Sequence, residues 1–431
     1  MLLATMGFIV IFALLILVVT KKASVHFCLV ILPILAAAVC GYGIDEIGGF
    51  MSDGLVSIAP TAIMLTFAVM FFGVMYDAGL FDPAIKGVIQ LAGGDPMKVA
   101  VGTAIIAVLA HLDGSGSSTY LVTISALMPV YKALNMSIYT LATITALSAG
   151  VMNILPWGGP TMRAAAVLEM NVTELFQPLI PLMAIGLVWV LLVSGYLGYR
   201  ERKRVGITSK LPENLNHVSE EAAKIKRPDR FIPNLILTLA AIIILILAYI
   251  PMEAVFVIAL PICLMINYPS PAVQKERLEA QAPTAIYTAS VIFCAGVFTG
   301  VLSGSGMIDA MANALASLIP TSLGQMLAPV ISIVSIPMTI FFDADSMYYG
   351  VLPVISKAAE TFGVSAEMIA RAFLLGGHTT AFPLTPVTGS TWVLLGLTGI
   401  DLGTHQKKTL PWVLGSTTVM LIAALAMGVI T

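Results

Sequence analysis

Stretches of about 20 consecutive apolar residues recur along almost the whole chain, starting with "LLATMGFIVIFALLILVVT" after the first methionine. That is the length an α-helix needs to cross a hydrocarbon layer of ~30 Å. In lipid, only helices and closed barrels satisfy their own backbone groups. Of 431 residues only 10% are charged and 58% are apolar, against roughly 25% charged in a soluble protein. The sequence therefore predicts an all-α polytopic membrane protein embedded in a lipid bilayer. The net charge of -2 points to no partner, and no basic patch of a nucleic-acid binder is present. Cys28, Cys40, Cys263 and Cys294 lie in apolar segments without metal-like spacing and read as core filling.

Full spans are expected near 2–20, 24–42, 57–76, 138–170, 178–199, 231–250, 252–268, 284–302, 366–398 and 409–430. These make about ten transmembrane helices. The first run lacks a basic leader, and Lys21 and Lys22 follow it, so it reads as a retained span with the N-terminus outside. Two apolar pairs, 97–111 with 118–134 and 322–341 with 346–360, have arms too short to cross. Each folds back at a polar tip, "DGSGSS" or "DADS", which predicts two re-entrant hairpins. Charge tests the orientation. Nine basic residues lie between Arg200 and Arg230 and nine more in shorter inner loops, so 18 of the 21 fall on the inner side. The expected placement is the inner (plasma) membrane with both termini outside.

The two halves echo each other. "GVMYDAGLFD" (Gly73 to Asp82) and "GVLSGSGMID" (Gly300 to Asp309) share Gly, Val, Gly and Asp at equal offsets. Each is followed by an Asp-bearing hairpin tip, a Pro-Val pair and a span split by two prolines, "NILPWGGP" or "TAFPLTP". With five spans per half, the second copy is expected upside down relative to the first. This predicts inverted repeat 1 over 1–200 with hairpin 97–134 and inverted repeat 2 over 231–431 with hairpin 322–360. A cytoplasmic linker, 201–230, joins them. Two discontinuous helices and paired hairpins are the architecture of secondary transporters, whose sites lie where the repeats meet. The corresponding expectation is a scaffold of about 1–80 and 231–302 and a transport domain of about 97–200 and 322–431.

Broken helices and hairpin tips expose free N–H groups and bare carbonyls, which attract anions and cations respectively. The hydroxyls of Ser115, Ser117, Ser118 and Thr119 add neutral donors for a carboxylate. Ionisable residues at membrane depth need a use. Asp113, Asp343 and Asp345 fit two readings: caps of the second hairpin arms, or sites for substrate, metal or proton. Arg163 either forks onto a substrate carboxylate or pairs with Glu169 or a tip aspartate. His378 and His111 are candidate proton carriers or polar packing groups. Arg371 is expected to pair with Glu367, Asp77 and Asp309 to cap helices, and Trp157 to stack beside a pocket or sit at the interface.

The stretches "APTAIMLTFAVMFFGVMYDAGLFDP", "GDPMKVAVGTAIIAVLAHLDGSGSSTY", "NILPWGGPTMRAA", "INYPS", "YYGVLPVISKAA" and "LLGLTGIDLGTHQK" together resemble the citrate–metal:proton symporter family (CitMHS) of the ion transporter superfamily. The resemblance implies a non-enzymatic, proton-coupled uptake of citrate complexed with Mg²⁺ or Ca²⁺, with no permanently bound cofactor. It also implies a homodimer working as an elevator. Carried onto this chain, one half of the pocket is Asp113, Ser115, Gly116, Ser117, Ser118, Thr119, Asn153, Gly158, Gly159, Thr161 and Arg163. The other half is Asp343, Asp345, Ser346, Thr379, Thr380 and Thr385. Asp113, Asp343 and Asp345 are the metal candidates, and the same three with His378 the proton-coupling candidates. The chain departs from the family pattern at Ser115 and around "FFDADSMYYG" and "GGHTTAFPLTP". Rival readings are a sodium-coupled carboxylate carrier, a passive channel, and an intramembrane protease using Asp113 and Asp343.

Overall fold

The computed structural model describes residues 1–208, 224–247, 249–342 and 344–431. Asp343 and the middle of the expected linker thus lie outside the described residues. Every regular element among those described is helical. Six helical stretches are long and apolar enough to cross a membrane by length and composition, and six shorter apolar helices accompany them. Ten spans of full length were expected; several are shorter or split.

Helices α1 (Leu2–Val19) and α2 (Val25–Val39) are joined by a tight turn, and Ser24 caps α2 by accepting from the Phe27 N–H at 3.2 Å. Helices α3 (Ile44–Asp77) and α13 (Pro271–Gly304) have 34 residues each, about 51 Å at 1.5 Å per residue. Both begin 13 residues before the expected spans, at 44 rather than 57 and at 271 rather than 284. The polar first turns form good helix but carry no hydropathy signal. The Glu46 carboxylate accepts the Gly43 N–H at 2.8 Å and fixes the start of α3. The two long helices run antiparallel: Gly54 meets Gly296 and Gly300, whereas Gly73 meets Gln281. A Cβ on Gly54 would stand 2.0 Å from the Gly296 carbonyl oxygen. Small residues permit this approach, as membrane helix pairs require.

Short helices α4 (Asp82–Ala92) and α14 (Met307–Ala316) follow the two echoing motifs; hydropathy alone missed both. The first hairpin is α5 (Pro96–Ala110), a tip over residues 111–115, and α6 (Gly116–Ala133). Asp95 caps α5 by accepting from Met97 N–H at 3.0 Å. Helix α7 (Ile138–Met152) stops at Asn153, and α8 (Gly159–Val167) resumes the path after six non-helical residues. Then follow α9 (Val172–Phe176), α10 (Ile180–Val205), α11 (Phe231–Leu247) and α12 (Met252–Asn267).

After a single turn, α15 (Thr321–Gly324), the second hairpin comprises α16 (Leu327–Phe341), a tip, π-helical turns over Ser346–Val351, and α17 (Leu352–Glu360). Its first arm starts at 327 rather than the expected 322. The second broken span is α18 (Ala366–Phe373), π-helical Leu374–Ala381, seven non-helical residues, and α19 (Gly389–Thr398). The last helix, α20 (Leu402–Ala426), starts seven residues earlier than the expected 409, because Asp401 caps it by accepting from Thr404 N–H at 2.9 Å.

Helices α2, α3 and α11 to α13 pack chiefly among themselves, and α1 packs on α2, on α14 and on the π-helical turns at 346–351. Helices α5 to α7, α10, α16 and α18 to α20 pack into a second group. Helix α8 touches α3 and α13, and the π-helical turns at 346–351 touch α8, α1 and α13.

Candidate functional site

Four interrupted elements surround one cavity of about 200 Å³. The first hairpin tip contributes Gly114 and Gly116, and the first break Asn153, Gly159, Pro160 and Arg163. The second hairpin contributes Thr339, Phe342 and Ala344, and the second break His378, Phe382, Thr385 and Thr388. This volume lies below the ~300–1,000 Å³ of drug-sized ligand sites and suits a small polar solute.

The first tip turns because Gly114 adopts φ 74°, a left-handed conformation favouring glycine. Asp113 Oδ1 accepts the Ser115 N–H at 2.8 Å, and Ser115 Oγ accepts the Ser118 N–H at 3.4 Å. Ser115 is therefore the cap of α6. Thr119 is fully buried and braces the tip, donating to the Ser115 carbonyl at 2.7 Å and lying 2.8 Å from His111 Nδ1. Ser117 is exposed and does not line the cavity. Trp157, expected beside a pocket or at an interface, is instead buried, stacks on Phe72 and donates to the Leu112 carbonyl at 2.7 Å. It ties the first break to the first tip.

At the first break Thr161 donates to the Ile154 carbonyl at 2.9 Å, and the Gly158 N–H donates to Leu155 O at 2.8 Å. These two residues shape the loop, while Asn153, Gly159 and Arg163 face the cavity. Asn153 Nδ2 lies 3.2 Å from His378 Nδ1, linking the two breaks directly. His378 stacks on Tyr348 with ring centroids 5.1 Å apart, and its Nε2 is buried without a partner among the described residues. Thr339 Oγ1, also at the cavity, is likewise unpartnered. Orphaned buried polar atoms are costly, and these two belong to residues that line the cavity.

Arg163 Nε donates to Asp345 Oδ1 at 2.5 Å, joining the first break to the second tip. Of the partners open to Arg163 in the sequence, the tip aspartate holds it. The pair also borders a chamber of about 40 Å³ lined by Leu65, Tyr287 and Thr288 of α3 and α13. Thr385 faces the main cavity and donates to Ile340 O at 2.9 Å. Thr379 and Thr380, expected in the pocket, turn away: both contact Thr417 of α20, and Thr380 donates to Val413 O at 3.1 Å. Ser346 is buried in the π-helical turns and does not line the cavity. The π-helical register rotates these side chains off the face that a regular helix presents.

Thr339, Phe342, Phe382 and Thr388 were missed by sequence reasoning; their only signal is closeness to the tip and to the Pro-split segment. Arg371 does not pair with Glu367 as expected. It donates to Leu175 O at 3.3 Å and Glu174 O at 2.9 Å, closing the end of α9. Asp77 is no cap either: it accepts from Gln281 Nε2 at 3.2 Å and lies 3.6 Å from Arg277, bridging α3 and α13. Among the described residues, no group of three or more His, Cys, Asp or Glu is placed to hold a metal ion.

A larger recess of about 740 Å³ lies between α3 and the ends of α8, α9 and α12, lined by Glu169, Glu174 and Glu253 with no basic side chain. Its negative lining disfavours a carboxylate. The smaller cavity, with Arg163, is the better candidate.

Comparison with known proteins places the chain in a fold and a family. Solved structures share the fold: the YdaH transporter of Alcanivorax borkumensis aligns with a TM-score of 0.62 at 15% identity, covering 88% of both chains. MtrF of Neisseria gonorrhoeae, described within a class of antimetabolite efflux pumps, aligns at 0.51 and 13% identity over 89% of this chain and 82% of its own. A Bacillus subtilis (strain 168) protein named citrate transporter is 44% identical across 100% of both chains. The Mg(2+)/citrate complex secondary transporter of the same organism is 40% identical over 100% of this chain and 99% of its own. Residues 2–376 match the CitMHS family, described as citrate transporter. The chain is a helical membrane protein and belongs to the CitMHS citrate transporter family.

Proposed function

We propose that the chain is a secondary active transporter that carries citrate complexed with a divalent metal, Mg²⁺ or Ca²⁺, into the cell together with protons. The observation that carries this reading is the cavity itself: two hairpin tips and two helix breaks from opposite halves enclose it, with Arg163 and Asp345 paired across the join. A divalent cation on citrate lowers the charge to be buried, which suits a cavity offering one arginine already shared with an aspartate. The metal is cargo, held by citrate oxygens, with Asp113, Asp343 and Asp345 as the available protein carboxylates. Asn153, Gly159, Arg163 and Thr385 contact the solute, and Thr339 and His378 offer it their unpartnered polar atoms. Protons travel on carboxylates of the tips or on His378.

Access alternates by an elevator: the group built on α5 to α7, α10, α16 and α18 to α20 slides against a scaffold of α1 to α3 and α11 to α13. Residues 1–200 and 231–431 are the two inverted repeats and each supplies helices to both groups, the protein forms a homodimer in the plasma membrane, and both termini face outside. The near-continuous packing within each group, with α8 between them, supports the division.

Uptake of labelled citrate into proteoliposomes under an imposed pH gradient, with Mg²⁺, Ca²⁺ or Na⁺ alone, tests the coupling. The proposal expects accumulation that needs a divalent cation and collapses with the pH gradient. Accumulation driven by Na⁺ without divalent metal would assign the chain to the sodium-coupled alternative.

A further inference from the structure

A second polar cavity, of about 210 Å³, lies at the far end of α7 from the citrate site, between α7, α10 and α20. Its lining carries Arg200, Arg204 and Lys408 against the single acid Glu201, three positive charges less one negative, or +2. Glu201 is already engaged: it accepts the Ser137 N–H at 3.2 Å and the Thr140 hydroxyl at 2.9 Å, and pairs with Arg204. Arg200 and Lys408 pair with no carboxylate among the described residues. The lining therefore keeps a net positive charge.

The surroundings place this cavity where lipid headgroups lie. Helix α10 presents exposed Val188, Leu191 and Leu192 to the surface and then, two turns on, the basic run from Arg200. Between them on α10 stands Tyr196, 51% exposed, and Tyr139 of α7, 41% exposed, lines the cavity. Tyr196 lies under Arg200 at 5.9 Å and against Trp412 at 5.6 Å. Aromatic side chains with a wet end and an apolar body mark a membrane–water interface. An occupant must match a positive recess whose rim continues into an apolar helix face. A phosphate with acyl chains does so; a free soluble anion would leave that rim unused.

We propose that this cavity seats the phosphate of an anionic phospholipid, clasping α7, α10 and α20 together at the inner leaflet. Basic pockets between transmembrane helices are the usual means of holding such headgroups. The assignment is independent of which solute the transporter carries.

Native mass spectrometry of the full-length protein, with phosphatidylglycerol, phosphatidylcholine or inorganic phosphate added, tests it. Each cation near an anionic headgroup contributes about fivefold, so Arg200→Gln/Lys408→Gln should retain phosphatidylglycerol about 25-fold less well than wild type. Lys203→Gln/Lys407→Gln removes equal charge from exposed positions of α10 and α20 outside the cavity and should retain it as wild type does. Lys408→Gln alone, at an exposed side chain, keeps the test decisive should the double variant fail to fold, with about a fivefold loss expected. Equal loss in the control pair, or no preference of wild type for phosphatidylglycerol over phosphatidylcholine, overturns the proposal. Inorganic phosphate displacing the lipid at equal concentration reassigns the cavity to a soluble anion and overturns it too.

Discussion

Replacing Arg163 with glutamine separates two roles that the geometry combines in one side chain. Arg163 spends Nε on Asp345, and both side chains are about one-fifth exposed, at 22% and 18%. A guanidinium has five N–H donors, so four remain, and Nη1 lies 2.6 Å from where a Cβ on Gly159 would stand, beside the cavity. Loss of a charge-assisted hydrogen bond to a citrate carboxylate costs about 1.5–3 kcal/mol, which is about 10- to 150-fold in apparent affinity. Arg163→Gln also leaves Asp345 as an unpaired, largely buried charge, a folding cost of about 2 kcal/mol. The double variant Arg163→Gln/Asp345→Asn removes that second cost and keeps the first. Its melting temperature should return towards wild type while the KM for citrate uptake stays raised at least tenfold. Gly159→Ala should raise KM as well, because its methyl displaces Nη1 without removing charge. Uptake kinetics in proteoliposomes and melting curves on the same preparations read both effects. Recovery of wild-type KM in the double variant would refute the reasoning and leave Arg163 as a structural tie between break and tip.

Other outcomes follow from particular contacts. In Gly54→Ala the new methyl meets the Gly296 carbonyl and the Gly300 backbone, neither of which can rotate aside, so stability should fall by about 1–3 kcal/mol; an unchanged melting temperature would show the helices part freely. His378→Gln keeps a polar group at the cavity but cannot carry a proton, so pH-driven accumulation should fall while citrate counterflow persists; unchanged stimulation by the pH gradient removes His378 from coupling. Asp95, at the mouth of α5, is pushed up by burial, but the Arg202 guanidinium and the Met97 N–H outweigh this and hold its carboxyl below the usual range. A depressed carboxyl stabilises the fold above its unfolded value of about 3.9 and loses that contribution as pH falls through its folded value. The melting gap between wild type and Asp95→Asn should therefore be constant from pH 8 to 5 and close only in stronger acid; a gap that varies across the neutral range contradicts this.

Much of the architecture was legible because lipid makes it so: apolar length, Pro and Gly at the breaks, and polar tips have few other solutions in a membrane. Asn153, Gly159 and Arg163 were readable for the same reason, as polar or small residues beside an unavoidable interruption. The starts of α3, α13 and α20 were not, since their first turns depend on caps and helix propensity rather than on hydropathy. The amphipathic α4 and α14 were hidden similarly, being too short to cross at 11 and 10 residues.

Composition and order along the chain thus determined that there are spans, hairpins and breaks, and which residue types each exposes. Only tertiary packing decided what those residues face. Asp345 meets Arg163 across 182 positions of sequence, and Asn153 meets His378 across 225. The π-helical register turned Thr379 and Thr380 toward Thr417 and brought His378 to the cavity. Each choice is a rotation about a helix axis, set by how neighbouring helices fill space. A rotation of this kind changes a side chain's partner while leaving the order of residues untouched.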